Sequence, residues 1–252
     1  MSAPGKTILA IAGDDYHPEA PIREALEQAI RSAADTNAAG LRIGAATEAV
    51  RVRYASAERL LEELAERPAA VVLFKENRIN PQDREIRQWM TEEAESAIAA
   101  YAEAGGGWLA WHSGLASYRT DGAYVGMLRG YFLHHPERHR PVRYSAEAAG
   151  PLAGGFPEGD PGSGSGAANP AASFEFADEH YFVACDEPNT TVFLRSESAD
   201  GESIAGWAHA YGKGRVCCLT PPTLPKGCFT PVRSARSEGA SPGSRISDSQ
   251  YG

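Results

Sequence analysis

The stretch Gly105-Gly106-Gly107-Trp108-Leu109-Ala110-Trp111-His112-Ser113-Gly114 decides the fold. Its glycines read as a turn and Trp108–Trp111 as a short buried strand. A polar residue then stands where the chain must bend sharply, with small residues after it. This is the layout of a nucleophile elbow, a strand-to-turn bend that lifts one side chain out of the carboxyl end of a sheet strand. The lifted residue is His112, whose neutral imidazole suits a general base, a ligand donor or a metal ligand. A structural histidine bonded under a loop is the alternative, and the position at an elbow favours function. Ser113 reads first as a helix cap and second as a hydroxyl donor to a substrate.

Upstream of the elbow, strands and helices alternate. Lys6–Ala12 is a continuous apolar run, as in a parallel strand buried on both faces. A polar loop, Gly13–Pro18, precedes a helical spacing over Ala20–Ala34 carried by Ile22, Leu26, Ala29 and Ile30. Ala49–Tyr54 and Ala69–Phe74 read as further strands, with a helix over Ala57–Glu66 between them. After the polar Lys75–Arg84 loop, an alanine-rich helix occupies Thr91–Ala104. This order predicts an α/β fold of three αβα layers, flavodoxin-like, around a mostly parallel sheet with right-handed crossovers. Ligands of such sheets bind beyond the carboxyl ends of the strands, where Gly13–Pro18, Lys75–Asn80 and His112 all fall.

The second half reads as strands joined by turns: Pro141–Ser145, Glu179–Ala184, Thr191–Ser196, Ser203–Ala210 and Gly214–Leu219. Between the first two, residues 150–172 are rich in Gly, Pro, Ser and Ala, and Asp160–Gly166 is expected to be a flexible surface loop. One domain over residues 1–221 and an irregular tail over 222–252 are the expected organisation.

With 252 residues and a net charge of −9, the chain can bury a full core and clusters no cations for nucleic acid or anionic membranes. No run is apolar enough to span a bilayer and no secretory segment opens the chain, so a cytoplasmic location is expected. Cys185, Cys217, Cys218 and Cys228 show neither Cys-x-x-Cys nor metal-ligand spacing and read as reduced thiols. No pattern names a cofactor.

The later motifs carry a family resemblance. Gly130-Tyr131-Phe132-Leu133-His134-His135-Pro136 resembles the Gly-Gly-x-Phe-x-x-His-Pro segment of the ThuA-like trehalose-utilisation family, and Asp178-Glu179-His180-Tyr181 its Asp-Glu-x-Tyr. Trp207-Ala208-His209-Ala210-Tyr211-Gly212-Lys213-Gly214-Arg215-Val216 is close to its Trp-x-His-x-Tyr-Gly-Lys-Gly-Arg-Val signature. Gly13–Pro18 and Trp111-His112-Ser113 match its early loop and its elbow. The resemblance spans about residues 6 to 221. It implies the class I glutamine amidotransferase-like fold, with His112 where that class has its cysteine. An imidazole cannot form the thioester of glutamine hydrolysis, so no glutaminase activity is expected. A role in carbohydrate use follows, in company with a sugar oxidoreductase, and with a homo-oligomer as one assembly.

Two departures stand out. Tyr131 replaces the second Gly of Gly-Gly-x-Phe, and the family's closing Gly-His-Thr and final helix are missing. Leu219-Thr220-Pro221-Pro222 instead runs into a Ser/Gly/Arg tail with no helical stripe. A one-base shift across Pro222–Pro231 permits His-Thr-Pro-Glu-Gly-Val-Leu-His-Pro, so a frameshift is the favoured reading of that tail.

His112, His135, Glu179 and His209 are therefore expected to form a polar centre at the strand ends. His17, Ser113, Trp207 and Tyr211 are expected to bind substrate. Trp207, His209 and Tyr211 alternate on one strand and face one side, as a sugar-stacking surface or as ordinary core. His135-Pro136-Glu137 imitates a triad His-x-Glu but follows the elbow too closely to serve as one; His134 and His139 read as surface residues. Gly212–Arg215 reads as a hairpin turn. Acid–base chemistry on a sugar or oxidised sugar is the leading function. A non-catalytic sugar-binding module and a metalloenzyme built on histidines and Glu179 are the rivals.

Overall fold

The computed structural model describes residues 6–38, 50–147 and 173–221. The expected loop at Asp160–Gly166 and the tail after Pro221, with its frameshift, lie outside the described residues.

The chain opens with β1 (Thr7–Ala12), α1 (Glu19–Ala38), β2 (Arg51–Tyr54), α2 (Leu60–Ala65) and β3 (Ala70–Phe74). It continues through α3 (Glu92–Glu103), β4 (Gly107–Trp111), a 3-10 turn over His112–Leu115 and α4 (Ala123–Leu128). The second half holds β5 (Gly130–His134), β6 (Arg140–Ala146), β7 (Ser173–Asp178), β8 (Phe182–Cys185), β9 (Thr191–Ser198), β10 (Gly201–Tyr211) and β11 (Gly214–Leu219).

Nine strands form one sheet in the order β2-β1-β3-β4-β11-β10-β9-β6-β7. From β2 to β11 the pairs are parallel; from β11 to β7 they are antiparallel. The parallel half has the predicted wound connectivity. After β1 the chain passes to β2 on one side and returns to β3 on the other, so the strand order reverses between β1 and β3. In sheets of this kind ligands bind at the carboxyl ends of the two strands that flank such a reversal.

Side chains of the central strands point alternately to the two faces, both of them buried. Ala10, Val72, Phe74 and Trp111 point to α1 and pack on Ile22, Ala25 and Leu26. Leu9, Ile11, Val71, Leu73 and Trp108 face the other way, onto Leu60 and Leu64 of α2, Ile98 of α3 and Met127 and Leu128 of α4. Helices thus cover both faces, giving the three expected layers.

The second half differs in detail. The strand expected over Glu179–Ala184 begins only at Phe182, because Asp178 ends β7 of the large sheet and Phe182 opens β8, which pairs with β5 in a separate two-stranded sheet. Glu179, His180 and Tyr181 make the passage between sheets. His180 is pinned there by the hydroxyls of Ser198 and Ser196, at 2.8 and 2.9 Å. Strands β5 and β7 were not anticipated as elements.

Candidate functional site

The elbow forms as the sequence predicts. His112 directly follows β4 and has φ of 48°, a left-handed conformation that costs a non-glycine residue roughly 1–3 kcal/mol. Two residues on, Gly114 lies so close to β3 that a Cβ there would sit 2.2 Å from the Leu73 carbonyl oxygen. Only glycine lets the turn fold down beside β3. Ser113 does not cap a helix: its side chain makes no cap bond, and its buried Oγ has no hydrogen-bond partner among the described residues, although it lies near the Asp14 carboxylate.

His112 is wholly buried. Its ring stacks on Tyr181 with centroids 4.1 Å apart and lies 5.4 Å from Phe74. Nδ1 is 2.7 Å from the Thr220 carbonyl oxygen just past β11. A carbonyl only accepts, so Nδ1 carries the proton. Burial disfavours the charged ring and lowers its pKa, so the imidazole is neutral and Nε2 presents a bare lone pair. Among the described residues that Nε2 has no hydrogen-bond partner, and the nearest carboxylate oxygen, Glu179 Oε2, stands 3.7 Å away.

The third group is His17, on the loop after β1, with its ring centroid 5.0 Å from that of His112. Gly13, at φ 93°, turns the chain out of the strand, and the Asp14 carboxylate then accepts from the backbone N–H groups of Tyr16 and His17. Asp14 Oδ1 also meets His17 Nδ1 at 2.7 Å, fixing the ring and leaving Nε2 free for the crevice. Burial works against a charged His17, but the Asp14 contact outweighs it and raises the pKa; reciprocally, Asp14 is held well below the usual carboxylate range despite its burial. Ligating atoms of His17, His112 and Glu179 all lie within 4.8 Å of one another.

The other expected residues separate from this centre. His135 sits at the rim, exposed, bonded to its neighbour Pro136 and 5.9 Å from the Tyr181 ring. His209 is a correction. On the ladder it pairs with Val216, which pairs with Trp108, four residues back from His112, or about 13 Å along the sheet. Its Nε2 donates to the Met127 carbonyl, while Trp207 Nε1 donates to that of Leu128. These are last-turn carbonyls of α4, which lack partners within a helix. Trp207, His209 and Tyr211 do share a face, but that face clamps and packs the core side; none is available to stack a sugar at the strand ends.

Several participants escaped the sequence reading. Asp14 orients His17, the Thr220 carbonyl orients His112, and Tyr181 fills the space beneath them. His139, expected on the surface, is exposed yet brings Nε2 within 3.5 Å of Glu179 Oε1. Glu76, after β3, is buried: Oε2 accepts from Arg78 and Ser117, while Oε1 has no partner among the described residues. An Asp three residues before a His, on the loop after a buried strand, is the one signal that was there to find.

Comparison with known proteins agrees with this fold. A ThuA-like protein from Bacteroides uniformis superimposes with a TM-score of 0.53 at 18% identity, over 88% of this chain and 83% of that one. The β-galactosidase of Rahnella sp. R3 gives 0.52 at 11% identity, over 89% of this chain but only 30% of the enzyme, a likeness of fold alone. No curated protein sequence matches significantly. The family model described as ThuA, trehalose utilisation, matches residues 17–221, most of the chain, and the protein belongs to the ThuA family.

Proposed function

We propose that this ThuA family member works in carbohydrate metabolism, binding a sugar or keto-sugar in the crevice beyond β1, β3 and β4 and moving protons on it. One observation carries the reading. The bare Nε2 of His112 faces the anionic Glu179 at 3.7 Å, an acceptor with no donor among the described residues. A sugar hydroxyl supplies such a donor. Seated there, a hydroxyl or an acidic C–H beside a carbonyl loses its proton to His112, and Glu179 stabilises the imidazolium that forms. Thr220 and Asp14 keep the two imidazoles oriented through the step. His139 lies on the exposed side of Glu179, with Nε2 3.5 Å from Oε1, and His135 stands at the rim beside Tyr181.

Oxidation of a sugar hydroxyl yields such a keto-sugar, which makes a sugar oxidoreductase a natural metabolic partner. A cytoplasmic setting fits the free thiols of Cys185, Cys217 and Cys218. Among the described residues no helix is long and apolar enough to cross a membrane.

Calorimetry and product analysis with trehalose and keto-disaccharides test the proposal. Wild type should bind and convert one of them, and His112→Asn and Glu179→Gln should abolish turnover. Binding without turnover would make the protein a sugar-binding module; no binding at all would remove the proposal.

A further inference from the structure

We infer that His17, His112 and Glu179 together form a binding site for one divalent cation of the borderline class, zinc foremost; this rests on the crevice being the sugar site proposed above, and with the cation bound His112 and Glu179 serve as ligands in place of the proton-moving roles given to them there. Two imidazoles and a carboxylate offer ligand atoms within 4.8 Å of one another. Zinc–ligand bonds of about 2.0–2.2 Å place tetrahedral ligands roughly 3.3 Å apart, so closing the site takes only a side-chain adjustment. Glu179 lies between two sheets and is 27% exposed, so it is free to make that adjustment.

The far side of each ring is prepared. Metal-bound histidines hand their other N–H to a carboxylate or a backbone carbonyl, which fixes ring and tautomer. His17 gives Nδ1 to Asp14 and His112 gives Nδ1 to Thr220, both at 2.7 Å. Asp14 is itself tied down, accepting from the Glu76 backbone N–H at 3.1 Å. Independently of the cluster, His112 is fully buried and its Nε2 has no partner among the described residues, directed at Glu179 across a gap too long for a hydrogen bond. A cation between them satisfies both atoms.

Three protein ligands leave coordination positions open. Vicinal oxygens of a sugar, or the carbonyl and neighbouring hydroxyl of a keto-sugar, fit such positions as a chelate. His135 and His209, which the motifs had put beside Glu179, take no part: one is at the rim and the other is bonded to α4.

The test uses the full chain, stripped with chelator and titrated with zinc by calorimetry, with elemental analysis after dialysis. One zinc per chain is expected. His17→Ala and Glu179→Gln should each weaken it at least tenfold, Asp14→Asn should weaken it 10–100-fold through His17, and His134→Ala should leave it unchanged. Cobalt(II) loading of the wild-type protein should give a visible spectrum of nitrogen and oxygen ligation, a readout that needs no variant to fold. Failure to retain stoichiometric metal, or binding indifferent to His17 and Glu179, overturns the inference. Titrating trehalose and a keto-disaccharide into stripped and zinc-loaded protein separates it from the reading it rests on. Sugar bound without zinc uptake sinks the metal site alone, whereas zinc bound with no sugar in either form sinks the sugar reading alone.

Discussion

Replacing Trp207 by Phe should cost about 2 kcal/mol of stability and leave the His112 centre untouched. Trp207 is fully buried, and its Nε1–H is the strong donor to the Leu128 carbonyl, at 2.8 Å; the Cys218 thiol, at 3.9 Å, is a weak substitute. Phe keeps most of the packing and loses the donor. A buried carbonyl left without its partner costs about 1–3 kcal/mol, and the space vacated by the smaller ring adds to it. For a domain of this size each kcal/mol lowers the melting temperature by about 2–4 °C, so a fall of about 4–8 °C is expected. His209→Gln, which keeps an N–H for the Met127 carbonyl, should cost less than His209→Leu, which does not. Thermal unfolding by circular dichroism reads both, beside sugar and zinc titrations of the same samples. Variants as stable as wild type but unable to bind would refute the clamp and return Trp207 and His209 to the site.

Gly114→Ala should destabilise by at least about 3 kcal/mol or prevent folding, because its Cβ would collide with the Leu73 carbonyl; expression and melting of the variant check it. Asp178 is buried against the Tyr144 hydroxyl, and burial raises its pKa from 3.8 to about 8, so the native state holds a proton that the unfolded chain releases. Its contribution is therefore complete below about pH 4 and fades as the pH rises towards 8, and Asp178→Asn should flatten the melting-temperature profile across that window. Ammonia release from glutamine should be absent, and a cysteine-dependent release would contradict the placement of His112 on the elbow.

The parallel half of the sheet was legible because its signals are local. Lys6–Ala12, Ala69–Phe74 and Trp108–Trp111 are apolar runs bounded by turns, and they became β1, β3 and β4 within a residue or two. Even the elbow was written locally, in Trp111-His112-Ser113-Gly114. Which residues meet in three dimensions was harder. His112 and Glu179 were placed together through family motifs, and they do meet; His209 came from an equally good motif and does not. The difference is strand direction. β10 runs antiparallel to β11, so moving along it from Ala205 to His209 carries the chain away from the carboxyl edge, and no periodicity in the sequence reveals direction. The Thr220 carbonyl was invisible for another reason, since any residue there carries one.

What marks His112 among the buried histidines is the state of its nitrogens. His180 shows how the fold treats a structural histidine, with both nitrogens matched to serine hydroxyls within 2.9 Å. His209 leaves Nδ1 unpartnered, but among the described residues no cluster of metal-type donors gathers around it. His112 combines a left-handed backbone with an unpartnered Nε2 facing a carboxylate and, beyond it, a second oriented imidazole. The strain costs roughly 1–3 kcal/mol and the unmatched nitrogen a similar amount, large terms beside the 5–15 kcal/mol that holds an ordinary domain together. A glycine at position 112 would relieve the first and remove the second. Keeping a histidine there makes physical sense when a hydroxyl or a cation bound at Nε2 offsets these terms.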